Sequence, residues 1–274
     1  MIPAPFAYRR AGSADEALSL LAELGDEAKL LAGGQSLLPL MKLRLATPET
    51  LIDVRRIAEL SYVREDGDTV AIGALTRHAD LHANDVAGRA VPMLAHVAGL
   101  VGDPQIRHRG TIGGSCAHAD PSADLPTALL AMNASFVLRG PSGERTVPAT
   151  EFFTGFLETV LEPDEMLVEV RVPKSPGGWA YQKFTRRAID WATVAVAVQR
   201  SDDATGVALA NMGATPLRAA AVESALSSRS SAADAAAHAD EGTEPGSDVT
   251  ASAEYRRHLA RVLTERALAE ASSR

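Results

Sequence analysis

Two glycine pairs carry the features of this chain that could do chemistry. One lies in Ala32-Gly33-Gly34-Gln35-Ser36 and the other, 80 residues on, in Thr111-Ile112-Gly113-Gly114-Ser115. Glycine lacks a Cβ, so its backbone can turn sharply and approach a ligand closely. Successive free N–H groups in such a turn form a nest for an anion, and the serine that follows adds a hydroxyl donor. Two nests facing one another would suit a pyrophosphate. They would also let an acidic protein hold an anion without a basic patch. A Gly-Gly pair taken alone reads rather as a tight turn, the ordinary use of such dipeptides. Neither segment fits the G-x-G-x-x-G fingerprint or the P-loop pattern.

Other reactive groups offer less. Cys116 is the only cysteine, and it reads as a small buried residue rather than a nucleophile. A single thiol can neither close an internal disulfide nor hold an iron–sulfur cluster, which usually takes four thiolates. Redox chemistry here would therefore need an organic cofactor, or metals on partner chains. His78 and His82 stand four apart with Asp80 between them. Without a third ligand at metal spacing they read as a solvated helix face. His118 lies near the second pair, with nothing to serve as its general-base partner.

The elements that must position these residues follow from pattern. Ser13 and Glu16 form a capping box before Ala17, Leu18, Leu21 and Leu24 at helical spacing, and Gly25 is a stop. Residues 29–32 read as a short strand running into the first glycine pair, and residues 51–54 and 69–73 as further strands. A helix opens near Thr76, and residues 89–100 read as one helix. Residues 102–104 and 109–115 are the most irregular stretch, and residues 125–132 are helical. Residues 134–139 and 145–147 flank the turn Pro141-Ser142-Gly143 as a hairpin. A strand over 166–172 ends at Pro173, and Ser175-Pro176-Gly177-Gly178 is the linker. Beyond it, residues 179–185, 192–200 and 206–212 read as antiparallel strands, and 216–226 and 252–268 as helices. The alanine- and serine-rich residues 227–247 read as a mobile loop, partly disordered. The fold class is α+β: a two-lobed domain over 1–175, with lobes of about 1–57 and 58–175, then a second α+β domain over 176–274.

Composition narrows the classes further. A formal charge of −8 over 274 residues argues against a nucleic-acid surface. The start Met1-Ile2-Pro3-Ala4-Pro5 is no signal peptide, and no apolar stretch approaches the roughly 20 residues that span a bilayer. The expectation is a cytoplasmic protein with no transmembrane segment.

Four ordered blocks stand out: Leu30-Leu31-Ala32-Gly33-Gly34-Gln35-Ser36-Leu37-Leu38-Pro39; Asp103-Pro104-Gln105-Ile106-Arg107-His108-Arg109-Gly110-Thr111-Ile112-Gly113-Gly114-Ser115 with Ala119-Asp120-Pro121-Ser122-Ala123-Asp124-Leu125-Pro126; Tyr181-Gln182-Lys183-Phe184-Thr185-Arg186-Arg187-Ala188-Ile189-Asp190-Trp191-Ala192; and Ala253-Glu254-Tyr255-Arg256-Arg257-His258-Leu259. Together they resemble one family, the FAD-binding medium subunits of molybdenum hydroxylases such as aerobic carbon monoxide dehydrogenase and xanthine dehydrogenase. Four blocks in register are far more specific than any one of them.

The resemblance implies a fold shared with vanillyl-alcohol oxidase and the cell-wall reductase MurB (the PCMH type), followed by a carbon monoxide dehydrogenase flavoprotein-like domain. It implies FAD as cofactor. Leu31, Ala32, Gly33, Gly34, Gln35, Ser36 and Leu37, together with Gly110, Thr111, Ile112, Gly113, Gly114 and Ser115, would wrap the pyrophosphate and ribityl chain. Asp124 would be a carboxylate at the FAD, though by pattern it could also be a helix N-cap. Val101 and Leu167 would lie against the flavin or adenine, though as residue types they suit plain packing better. Lys183 and Trp191 would stand near the isoalloxazine; their surroundings equally suit a solvated strand face and a core position.

Two residues depart from the family's pattern. Ser115 replaces a frequent Asn but keeps a donor and an acceptor. Trp191 replaces a frequent Tyr and keeps a stacking face.

A flavin accepts two electrons together and releases them singly or as hydride. The implied role is to take electrons from the 2Fe–2S clusters of a small subunit and pass them to a quinone, NAD or oxygen. A molybdenum-cofactor large subunit would oxidise the substrate, in a dimer of heterotrimers. No catalytic residue and no metal ligand is expected in this chain. The alternatives are a free-standing FAD oxidoreductase with its own substrate, and a non-enzymatic subunit whose glycine loops are only turns.

Overall fold

The computed structural model describes residues 2–201 and 204–274. Strands Ala7–Arg10, Ala28–Leu31 and Thr50–Asp53 form a parallel sheet with Thr50–Asp53 in the centre. Parallel neighbours need a crossover, and helix Ala14–Leu24 joins the first two strands, burying Ala14, Ala17 and Leu21. The Ser13 hydroxyl accepts from the Glu16 N–H at 3.1 Å. The Glu16 carboxylate accepts in return from the N–H of Gly12, at 2.6 Å, so the box closes one residue earlier than its sequence signature.

The second sheet is antiparallel, in the order Val63–Asp66, Thr69–Gly73, Met166–Pro173, Ser135–Gly140, Gly143–Pro148. The third contains Trp179–Phe184, Val194–Arg200, Thr205–Ala210 and Leu217–Arg218, with helix Ala253–Ser273 packed on it. The second sheet packs a core of Val70, Ile72, Phe136, Leu138, Val170 and Val172, here the second core, and between it and the third sheet lies helix Asp124–Ala131. All eight of its residues are buried, so its apolar residues show no exposed face, and its two polar ones, Asp124 and Thr127, are hydrogen-bonded. A Cβ on Gly206 would lie 2.1 Å from the Ala131 carbonyl oxygen, so strand backbone runs directly against the end of this helix.

Several expectations need correction. Residues 89–100 are not one helix. Pro92 has no N–H to continue the ladder, and Val91 breaks it into Asp85–Ala90 and Pro92–Leu100. The stretch 102–115 is more regular than its glycines suggest. It holds helix Pro104–Arg107, capped by Asp103, and helix Ile112–His118, capped by Thr111. The helix expected from residue 216 begins at Ala220, after the short strand Leu217–Arg218. Residues 227–247 contain helix Ala232–Ala236, capped by Ser231. Ala235 and Ala239 are buried in the core that also holds Leu259 and Leu263. Alanine-rich composition imitated disorder there, because small side chains leave no clear periodicity.

The candidate flavin site

The first glycine pair follows directly from strand Ala28–Leu31. Among the described residues, nothing accepts a hydrogen bond from the N–H groups of Gly33, Gly34, Gln35, Ser36 or Leu37. Gly34 adopts φ +74°, a conformation that favours glycine, and helix Leu37–Leu43 starts immediately after. The Gln35 amide donates to the Gly33 carbonyl at 3.3 Å. A run of five free donors is what an anion nest requires.

The second pair is built differently. Gly113 and Gly114 lie in the first turn of helix Ile112–His118, and its amides are already engaged. Ile112 donates to Thr76 (3.0 Å), Gly113 to Ala74 (2.9 Å) and Ser115 to Thr111 (3.0 Å) through backbone carbonyls. Gly114 donates to the Thr111 hydroxyl at 3.1 Å. The expectation of a second anion nest is therefore corrected. Gly113 serves close packing, since a Cβ there would lie 2.5 Å from the Ala74 Cβ. An ideal Cβ on Gly114 would press on the Thr111 hydroxyl at 2.8 Å and otherwise come no nearer than 3.9 Å, to the Ala32 Cβ.

The fold brings the two segments together. A Cβ on Gly33 would meet the Arg109 carbonyl oxygen at 2.4 Å and the Gly110 Cα at 2.7 Å. Gly110 in turn rests on the His78 ring, 2.7 Å from its own ideal Cβ. His78 is buried, not on a solvated face, and burial lowers its pKa to about 4, with Arg107 adding to the shift. Its Nδ1 has no partner among the described residues. Cys116 is buried as expected, and burial pushes its thiol well above the ordinary range.

Asp124 is not an N-cap. It is the first residue of its helix, capped by the Ala123 backbone, and its side chain makes no cap bond. The carboxylate instead accepts from the Tyr181 hydroxyl at 2.7 Å and from Lys183 Nζ at 2.8 Å. Burial pushes its pKa up, against the pull of Lys183 and Tyr181. Lys183 is no solvated strand residue: its side chain is 11% exposed. It lines a cavity of about 390 Å³ shared with His96, Leu100, Tyr181 and Ile189.

Trp191 is not core; it is 55% exposed on the loop between Phe184 and Val194. Val101 is half-buried against the second core, following Leu100 at the cavity's edge. Leu167 is 5% exposed in that core.

Sequence reasoning missed a second cavity, of about 250 Å³, at the junction of the glycine segments. Ala32, Gly33 and Thr111 line it with Arg55, Arg56, Arg77 and Arg109. The expectation of anion binding without a basic patch is thus corrected. The four arginines are scattered along the chain, and the fold gathers them. The one local signal was position: Arg55-Arg56 closely follows a strand end, and Arg109 precedes a glycine segment.

Free main-chain amides and arginines meeting where the two glycine segments touch suit a ligand that carries phosphate. Residues 4–175 match the model for the FAD binding domain in molybdopterin dehydrogenase. Residues 179–271 match that for the CO dehydrogenase flavoprotein C-terminal domain. The chain belongs to this family of FAD-binding molybdenum hydroxylase subunits, and its cofactor is FAD.

It is 45% identical to the carbon monoxide dehydrogenase medium chain of Hydrogenophaga pseudoflava, over 100% of this chain and 99% of the relative. It is 41% identical to the 6-hydroxypseudooxynicotine dehydrogenase complex subunit alpha of Paenarthrobacter nicotinovorans, over 100% and 97%. The solved structure of the Hydrogenophaga pseudoflava carbon monoxide dehydrogenase that lacks the Mo-pyranopterin moiety superposes with TM-score 0.95 at 46% identity, covering 100% and 99% of the two chains. The free amides of the first segment, set where Gly33 packs on the backbone of Arg109 and Gly110, fit the anionic part of a dinucleotide. No helix among the described residues is long and apolar enough to cross a membrane.

Proposed function

We propose that this chain is the electron relay of a heterotrimeric molybdenum hydroxylase in the cytoplasm, assembled as a dimer of heterotrimers. A large subunit carries the molybdenum cofactor and oxidises the substrate, and a small subunit carries 2Fe–2S clusters. This chain takes electrons from those clusters and delivers them to a quinone, NAD or oxygen. The observation that carries the reading is end-to-end likeness to a carbon monoxide dehydrogenase medium chain. The single cysteine agrees with it, because cluster ligands must then come from another chain.

Bound FAD supplies a store that fills with two electrons and empties singly or as hydride. The protein's own work is to hold and orient. The free amides from Gly33 to Leu37 bind the pyrophosphate, with Leu31 and Ala32 forming the inner wall. Gly110, Thr111, Ile112, Gly113, Gly114 and Ser115 shape the opposite wall. Asp124, fixed by Tyr181 and Lys183, would be the carboxylate at the FAD, and Lys183 and Trp191 would stand near its isoalloxazine. Val101 and Leu167 give apolar backing. No residue needs to act as acid or base on the carbon substrate.

In the assembled complex, variants of the first glycine segment should leave reduction of the molybdenum and iron–sulfur centres by substrate intact while turnover with the acceptor stops. The chain alone, loaded with FAD, should oxidise no carbon substrate. Turnover of such a substrate by the pure chain at ordinary enzymatic rates, about 1–10³ s⁻¹, would refute the relay.

A further inference from the structure

We propose that the four-arginine cavity is a phosphoryl-binding site that neutralises the FAD pyrophosphate. The inference rests on the FAD reading above and adds residues to it. Arg55, Arg56, Arg77 and Arg109 converge on about 250 Å³, and no acidic residue lines the cavity with them. Arg55 is paired outside this lining set, its guanidinium held by Asp53 at 2.6 Å. Among the described residues, the side chains of Arg56, Arg77 and Arg109 make no hydrogen bond or ion pair.

Three uncompensated guanidiniums around one small space repel each other, and an anion between them removes that cost. Arginine suits the task because its planar fork can bond two phosphoryl oxygens at once. In a chain of net charge −8, such a focus of positive charge also draws an anion toward one place.

The cavity's remaining walls identify the anion. Ala32 and Gly33 are the inner end of the first glycine segment, and Thr111 caps the second. The run of free amides from Gly33 to Leu37 starts at the same wall, and the Thr111 N–H has no acceptor among the described residues. Neutral backbone donors and arginines thus meet at one junction. A dianionic pyrophosphate can use both, one phosphoryl toward the amides and the other toward Arg77 and Arg109. Leu75, 8% exposed, is the one large apolar side chain in the lining.

The test titrates the flavin-stripped full chain by fluorescence quenching, with FAD and with riboflavin, which has no phosphate. Arg77→Gln and Arg109→Gln should each weaken FAD about tenfold, as loss of one charge-assisted hydrogen bond predicts. The double variant should weaken it about a hundredfold, and Arg109→Lys should restore part of the loss. Riboflavin affinity should not change. Inorganic phosphate should compete with FAD in the wild-type chain and far less in the double variant.

Unchanged FAD affinity in the double variant overturns the proposal while leaving the relay intact. An equal loss for riboflavin also overturns it, because the arginines would then act through the fold. Phosphate that binds without displacing FAD would mark a free-anion site instead. A wild-type chain that binds no FAD would refute the relay itself, and this proposal with it.

Discussion

Lys183→Met should destabilise the protein more than Asp124→Asn, although the two side chains share one hydrogen bond. The Asp124 side chain is 4% exposed and that of Lys183 11%. Removing Lys183 leaves a carboxylate at the start of a fully buried helix with only the Tyr181 hydroxyl to satisfy it. Breaking a buried pair in this way costs about 3–5 kcal/mol. Removing the charge of Asp124 leaves an ammonium that already borders the 390 Å³ cavity. Water can enter there, and the asparagine oxygen can still accept, so about 1–2 kcal/mol is expected. The double variant should lie well below the sum of the singles, since the orphaned charge is gone. Urea unfolding of the flavin-stripped chain, fitted with a common m-value, measures all three. A cost below about 1 kcal/mol for Lys183→Met would equate the pair with exposed ion pairs and refute the buried geometry.

Three further outcomes are expected. Gly33→Ala places a Cβ 2.4 Å from a backbone oxygen that cannot swing away, so it should cost about 1–3 kcal/mol and raise the FAD Kd about ten- to a hundredfold, read by fluorescence titration. Gly25→Ala has open space but φ +58° with ψ −141°, outside the left-handed helical region, so only backbone strain of about 1–3 kcal/mol should appear in urea unfolding, with FAD affinity unchanged. His78 ionises at about 4 when folded, against an ordinary 6.5. Its contribution is complete above pH 6.5 and is lost as pH falls from there to about 4, a total of about 3 kcal/mol. Wild-type stability should thus fall more steeply over that window than that of His78→Gln, by up to one proton; equal slopes would place a solvated imidazole at this position.

Much of the fold could be read from the sequence because its signals were local. The Ser13 cap, the hairpin around Pro141-Ser142-Gly143 and the strand into Gly33 each depend on neighbours a few residues away. The failures came where tertiary contacts decide. Gly113 looked like a loop glycine, yet its lack of a Cβ serves packing against Ala74, and helix Ile112–His118 absorbs it. The alanines of 232–239 looked unstructured because only burial beneath a distant helix distinguishes them from a polar tract.

The candidate site divides in the same way. Its backbone half was visible, since a nest is a property of consecutive residues. Its charged half was not. Arg55, Arg77 and Arg109 are separated by 22 and 32 positions, and no pattern in one sequence marks them as neighbours. The pairing of Asp124 with Tyr181 and Lys183 likewise joins a helix of the FAD-binding region to the first strand after the linker. Composition gave a net charge, and from it the inference that only backbone would meet the anion. A net charge is a sum over the whole surface, whereas a ligand meets the field of one cavity. An acidic chain can therefore present a strongly basic pocket, and here the fold gathers that pocket where the two glycine segments touch.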